Sequence, residues 1–145
     1  MQTDVLVALL VVISTDITTH TAGRDVKQFV GTHQKIWTVK TTNRAFMQCE
    51  VDQLRSAAAL SILFERSYII GRRRRDVLLE GVFDRRQKKR MTLFNRGNIK
   101  YYDLRVKDSS ITSGTRQSCP HIFNRLVEPG PSFTVYTPDC QAIIR

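Results

Sequence analysis

From residue 35 to residue 106 the chain repeats one pattern, and that pattern narrows the possible folds more than anything else in it. A short run rich in β-branched and aromatic residues alternates apolar with polar, a polar turn follows, and the unit recurs about every ten residues. The runs are "KIWTVKTT" (35–42), "AFMQCEVDQL" (45–54), a stretch ending in "SYII" at 70, "DVLLEGVFD" (76–84), "RMTLFN" (90–95) and "IKYYDLRV" (99–106). Period-two alternation sets successive side chains on opposite faces of a strand, and turns this short join strands to their neighbours in sequence. The spacing predicts a mainly β fold, an antiparallel barrel or sandwich.

Within the runs, Trp37, Val39 and Thr41 share one face, and Met47, Cys49 and Val51 share another. Gln48, Glu50 and Asp52 lie opposite the latter, so two acids share a face with Phe46 and Leu54. Such a face is ordinarily the solvated side of a sheet; in a barrel lumen the same carboxylates would pair with a cationic ligand. The stretch "SAAALSILFERSYII" (56–70) reads two ways. Ala57 to Leu60 are good helix formers. As a strand from Leu60, however, it sets Leu60, Ile62, Phe64, Tyr68 and Ile70 on one face with Arg66 the only misfit, and the strand is the reading adopted. Gly71 and the arginines after it read as the turn before the 76–84 strand. Upstream, Val26, Phe29 and Val30 fall at i, i+3, i+4, predicting a short helix that Gly31 ends.

The chain has 145 residues, the length of one domain with one core. Val5 to Ile13 form an unbroken apolar run, too short to span a bilayer and suited to the core of a signal peptide; a buried first strand is the alternative. The expected organisation is a signal peptide over 1–19, a barrel core over 20–108, and an irregular carboxy-terminal segment over 109–145. Prolines break that last segment, and "SFTVY" (132–136) is its one strand-like run. Secretion follows from the leader.

The net charge is +10, and six of those ten charges sit in residues 72–90. There Arg72, Arg73, Arg74, Arg75, Arg85, Arg86, Lys88, Lys89 and Arg90 face Asp76, Glu80 and Asp84. A nucleic-acid surface interleaves aromatics with its charge so that bases can stack, and Phe83 is the only aromatic between the clusters. No nucleic acid is expected as a partner. The clusters flank one strand and belong at opposite ends of the domain, as solvated turns or as a patch for an anionic surface such as heparan sulfate. No GxSxG, P-loop or HExxH occurs, and His20, His33 and His121 form no ligand-like spacing with acids. An enzyme, a metal centre or a cofactor is therefore not expected. Cys49, Cys119 and Cys140 are too dispersed for a zinc knuckle or a redox pair; in a secreted chain they imply one disulfide and one leftover thiol.

The order of parts resembles the tick salivary lipocalins, the histamine-binding-protein family. The resemblance covers residues 24–108 and rests on the Trp37 strand, Cys49–Asp52, Arg66–Tyr68 and Gly81–Phe83. It implies a small secreted lipocalin-like barrel that sequesters a biogenic amine, histamine or serotonin, or a lipid mediator. It implies a disulfide from Cys49 to the tail, to Cys140 rather than Cys119. An eight-stranded barrel needs two more strands than residues 24–108 supply, so the barrel is expected to be incomplete. A lumen in this fold would draw on Trp37, Phe64, Tyr68, Phe83 or Val82, and Tyr102, with Glu50 or Glu80 as the acid. Glu80 and Phe83 alternate across their strand, and only a bulge at Gly81 would let both point inward. With Phe83 inward, Arg66 would instead meet the carboxylate of a lipid. The competing class is a basic interaction protein that binds heparan sulfate, anionic lipid or nucleic acid through the 72–90 clusters.

Overall fold

A computed structural model describes residues 25–88, 90–93, 101–111 and 118–145. The leader-like run 1–19 and Lys89 lie outside them.

The alternating runs do form strands: β1 (Ile36–Thr41), β2 (Gln48–Ala57), β3 (Ser61–Ile70), β4 (Arg73–Phe83), β5 (Met91–Leu93) and β6 (Asp103–Lys107). They make one antiparallel sheet in the order β5-β4-β3-β2-β1-β6, and the short β7 (Phe133–Thr134) pairs with the end of β1. The sheet curls into an incomplete, lipocalin-like half-barrel. Among the described residues its two edges, β5 and β6, do not pair with each other. The helix α1 (Val26–Val30) closes one end. Asp25 caps it by accepting from the Lys27 amide at 2.9 Å. Gly31 ends it because its amide turns back to the Lys27 carbonyl, and a Cβ there would stand 2.8 Å from that oxygen.

The ambiguous stretch 56–70 is a strand, and the register explains why. β3 and β4 pair without interruption from Ser61↔Val82 to Ile70↔Arg73. Two expectations fail here. There is no bulge at Gly81; the absent side chain instead makes room for Met91, whose Sδ would be 2.6 Å from a Cβ at that position. The turn is also shorter than expected. Only Gly71 and Arg72 form it, with φ of 55° and 63°, while Arg73, Arg74 and Arg75 already belong to the ladder. A two-residue hairpin of this hand needs left-handed φ at both positions, and an arginine there costs about 1 kcal/mol. Arg72→Gly is therefore expected to raise the thermal midpoint by about 2–5 °C. A lower midpoint in a melting curve would show that the arginine side chain stabilises the turn.

The sheet has a core on each face. On the convex face Trp37, Cys49, Val51, Cys140 and Ile144 are buried together, with Ile69, Ile111 and Tyr136 packed against them. The tail, read from sequence as irregular with one strand, carries β7 and the helices α2 (Asp108–Ile111), α3 (Ser118–Val127) and α4 (Cys140–Ile143). Pro120 does not break α3, because it sits in the first turn, where a missing N–H leaves no bond unmade. Phe123 anchors that helix, and the Cys49–Cys140 disulfide (Cα–Cα 5.2 Å) ties α4 to β2. Asp108 accepts from Trp37 Nε1 at 2.7 Å and from Gln141 at 2.8 Å, fixing α4 over the tryptophan. Cys119 is free and exposed. Among the described residues no helix is long and apolar enough to cross a membrane.

Candidate ligand-binding site

The concave face is layered along the half-barrel axis. Near α1, Ile62, Phe64, Leu79 and Phe83 form an apolar floor, with Val26, Val30, Leu54, Met91 and Leu93 packed against it. Above it, where sequence reading placed Arg66 as a misfit, lies a belt of buried charge. The antiparallel register sets Arg66 directly across from Asp52, and Thr38 across from Arg105. Glu50 and Asp52 are 3% and 6% exposed and Arg66 is 5% exposed, so these ions have left bulk water. Isolated, each would be prohibitively unstable there; together they are paired.

Arg66 grips Asp52 with two hydrogen bonds, Nε to Oδ1 at 2.8 Å and Nη2 to Oδ2 at 3.0 Å. Its Nη1 lies 3.6 Å from Glu50 Oε1. Arg105 approaches from the other side, with Nη2 2.6 Å from Asp52 Oδ2 and 3.7 Å from Glu50. That 2.6 Å approach is a buried ion pair, the second charge contact that holds Asp52. Thr38 donates to Glu50 at 2.6 Å, and Thr41 donates to Asp103 at 2.6 Å. Burial pushes the Asp52 carboxyl up, but the Arg105 and Arg66 charges outweigh it and hold it below the usual range. Burial likewise opposes the Arg66 charge, and Asp52 overrides it, keeping the guanidinium firmly protonated.

Asp103 differs. Burial raises its carboxyl above the ordinary value, and neighbouring Glu50 adds to the rise against Thr41 and Arg105. Three carboxyl groups, Glu50, Asp52 and Asp103, thus meet two guanidinium groups, Arg66 and Arg105, so the belt has one more acidic than basic group. Tyr101 is close enough to Arg66 to add to the field there. Tyr68, half-buried, lies two residues beyond Arg66 on the same side of β3, toward the open end.

Between belt and floor, bounded by Ile36, Leu54, Ile62, Phe64, Met91 and Arg105, runs a cleft with about 10 Å3 of free volume. That is room for one water.

Of the residues expected to line a lumen, the structure brings Glu50, Phe64, Arg66 and Tyr68 to the concave face, with Phe83 below. It removes three. Trp37 is fully buried on the convex face, because the β1 positions that point inward are Ile36 and Thr38. Glu80 is exposed, since the unbroken β3–β4 register turns Leu79 and Gly81 inward and Glu80 outward. Tyr102 is 53% exposed, beside an outer groove of about 280 Å3 with Arg44, Leu126 and Pro131. A shift of one position exchanges faces, so Tyr101 takes the place expected for Tyr102. The solvated reading of Glu50 and Asp52 also fails: both are buried. Sequence reading singled out Asp52 with Glu50 as a pair of lumen carboxylates but missed Asp103, Arg105 and Thr38 as members of the belt. The alternation Tyr101–Asp103–Arg105 was the available signal.

A curled antiparallel sheet, a short helix at one end and a charged interior define a lipocalin-like fold. The crystal structure of AM182 in complex with serotonin shares it, with a TM-score of 0.58 over 74% of this chain and 85% of that one, at 12% identity. At that identity the likeness is one of fold. No family model matches the chain, and no curated protein matches it significantly.

Proposed function

We propose that this protein is a secreted, non-enzymatic carrier that sequesters a small protonated amine, as the histamine-binding lipocalins of tick saliva do. The observation that carries the reading is the single excess carboxylate in the buried belt. Glu50 and Asp52 are neutralised by Arg66 and Arg105, which leaves Asp103 to receive an ammonium group. Tyr68 and Tyr101 supply aromatic surface beside it, where cation–π contact and an ion pair reinforce each other. That AM182, which shares this fold, forms a serotonin complex supports an amine as the ligand class. A disulfide supports an oxidising, extracellular setting, together with the apolar leader-like run from Val5 to Ile13. A lipid mediator fits less well. Its carboxylate would need an unpaired guanidinium where Arg66 is already bidentate to Asp52, and its chain would need the cleft that holds one water.

Calorimetric titration with serotonin and with histamine tests this reading. At least one is expected to bind with Kd below about 100 μM, roughly −5.5 kcal/mol. Asp103→Asn is expected to weaken that binding about tenfold or more, about 1.4 kcal/mol, while Glu80→Gln leaves it unchanged. Affinity is expected to fall in acid, because protonating Asp103, whose carboxyl is raised, removes the excess charge while the amine stays cationic. Absence of binding by both amines, or full affinity in Asp103→Asn, contradicts the proposal.

A further inference from the structure

We propose that the tip of the β3–β4 hairpin is a docking surface for a sulfated glycosaminoglycan, held by Arg72, Arg73 and Arg75. The amine site leaves the 72–75 arginines unused, and the structure divides them unequally. Arg74 is spoken for: its Nε lies 2.9 Å from Asp76 Oδ1, its Nη2 donates to Ser67 Oγ at 3.3 Å and its Nη1 to the Arg145 carbonyl at 3.4 Å. Asp76 in turn accepts from Ser67 at 2.5 Å. Strand alternation places Arg74 and Asp76 on one side of β4 and Arg73 and Arg75 on the other. The local acid therefore neutralises the one arginine on its own side. Arg72, Arg73 and Arg75 are exposed and have no carboxylate partner among the described residues.

Arg73 and Arg75 stand about 6.6 Å apart along a rigid ladder. Sulfate groups on a linear sugar chain present separated, planar-readable anions, which guanidinium groups bind with paired hydrogen bonds. Arg72 extends the row around the turn, and it does so in a left-handed conformation (φ 63°) that glycine would adopt without strain. The second basic cluster is built differently. Asp84 pairs with Arg90 and accepts the amides of Arg86 and Gln87 at 2.8 and 3.1 Å, so an acid sits at its centre. It also lies at the far end of the eleven-residue β4, out of reach of the tip.

Other polyanions fit less well. Tyr68, across from Arg75, is half-buried, so the tip offers no platform on which bases could stack. Leu78, 58% exposed, lies on the Arg74–Asp76 side, and the aliphatics on the Arg73–Arg75 side, Val77 and Ile70, are only 39% and 38% exposed, too little apolar surface to insert into a membrane.

The test measures binding of the full chain to heparin at increasing NaCl. The triple variant Arg72→Ser, Arg73→Ser, Arg75→Ser is compared with Arg85→Ser, Arg86→Ser, Lys88→Ser, which removes equal charge, and with Arg74→Ser. The tip variant is expected to lose about tenfold or more in affinity at physiological salt, and its salt slope should fall by roughly two to three. The other two should lose several-fold less. The tip side chains are solvent-exposed, and a retained circular-dichroism spectrum separates lost binding from lost fold. Equal losses in the two triple variants would reduce the effect to net charge and overturn the proposal. Tighter binding of the wild type to phosphatidylserine vesicles or to an oligonucleotide than to heparin would overturn it too. Serotonin binding is expected to persist in the tip variant, since removing cations beside Tyr68 does not weaken the hold on an ammonium group, so failure here leaves the amine reading standing.

Discussion

Arg66→Met is expected to destabilise the fold by about 3–5 kcal/mol, because it leaves Asp52 and Glu50 buried with a single guanidinium between them. The side chain that goes is, among the described residues, the bidentate partner of Asp52. The methionine replaces its stem over the Phe64 ring, 5.8 Å from the guanidinium carbon, so packing is retained and the loss is electrostatic. The double variant Arg66→Met, Asp52→Leu should recover most of the loss, since it removes one charge of each sign and leaves Glu50 opposite Arg105. Urea unfolding of the single and double variants measures this coupling; a double variant no more stable than Arg66→Met would refute the charge-balance account. The same belt sets acid stability. The Asp52 carboxyl is lowered in the fold, so its contribution is present above the unfolded value and is lost as pH falls through the folded one. Asp103 runs the other way. Its carboxyl is raised, so its contribution is complete below the unfolded value and is lost as pH rises through the folded one.

The second large effect is expected from the disulfide. Cys49 and Cys140 are 91 residues apart, and closing a loop that long contributes about 4–5 kcal/mol in the chain-entropy model. Both cysteines are buried in the convex core, with Trp37 between the strand and α4. Cys49→Ala with Cys140→Ala is therefore expected to lower the unfolding free energy by about 4 kcal/mol. It should also free the tail. Loss of the Asp108 contact would expose Trp37, read as a red shift in its emission. A double variant that keeps its stability and a blue-shifted Trp37 would show that packing alone holds α4 in place.

The strand series was legible because alternation survives in the sequence wherever one face is buried. β1, β2, β3 and β6 all lie within their predicted runs or a few residues of them. The faces were less legible. Trp37 reads as lumen-lining because it is large and aromatic, but α4 and the disulfide cover the convex side with a core of its own. Nothing local to residues 35–42 reveals a covering that comes from residues 136–144. Glu50 was found, yet its partners were not, because pairing across strands depends on a register that a bulge shifts. β2 slips between Gln48 and Val51, around Cys49 at φ 54°, and that slip helps decide which residues meet Arg66. Helix α3 escaped because Pro120 reads as a breaker until its position in the first turn is known.

An amine held as proposed sits on the concave face, beside Tyr68 and Tyr101 at the edge of the charged belt. Intermolecular nuclear Overhauser contacts from bound serotonin, measured on the full chain, test it most directly. The expected result is contacts to the rings of Tyr68 and Tyr101, with none to Trp37 or Tyr136 behind the sheet. Contacts to Trp37, or to Tyr102 and Leu126 in the outer groove, would contradict it.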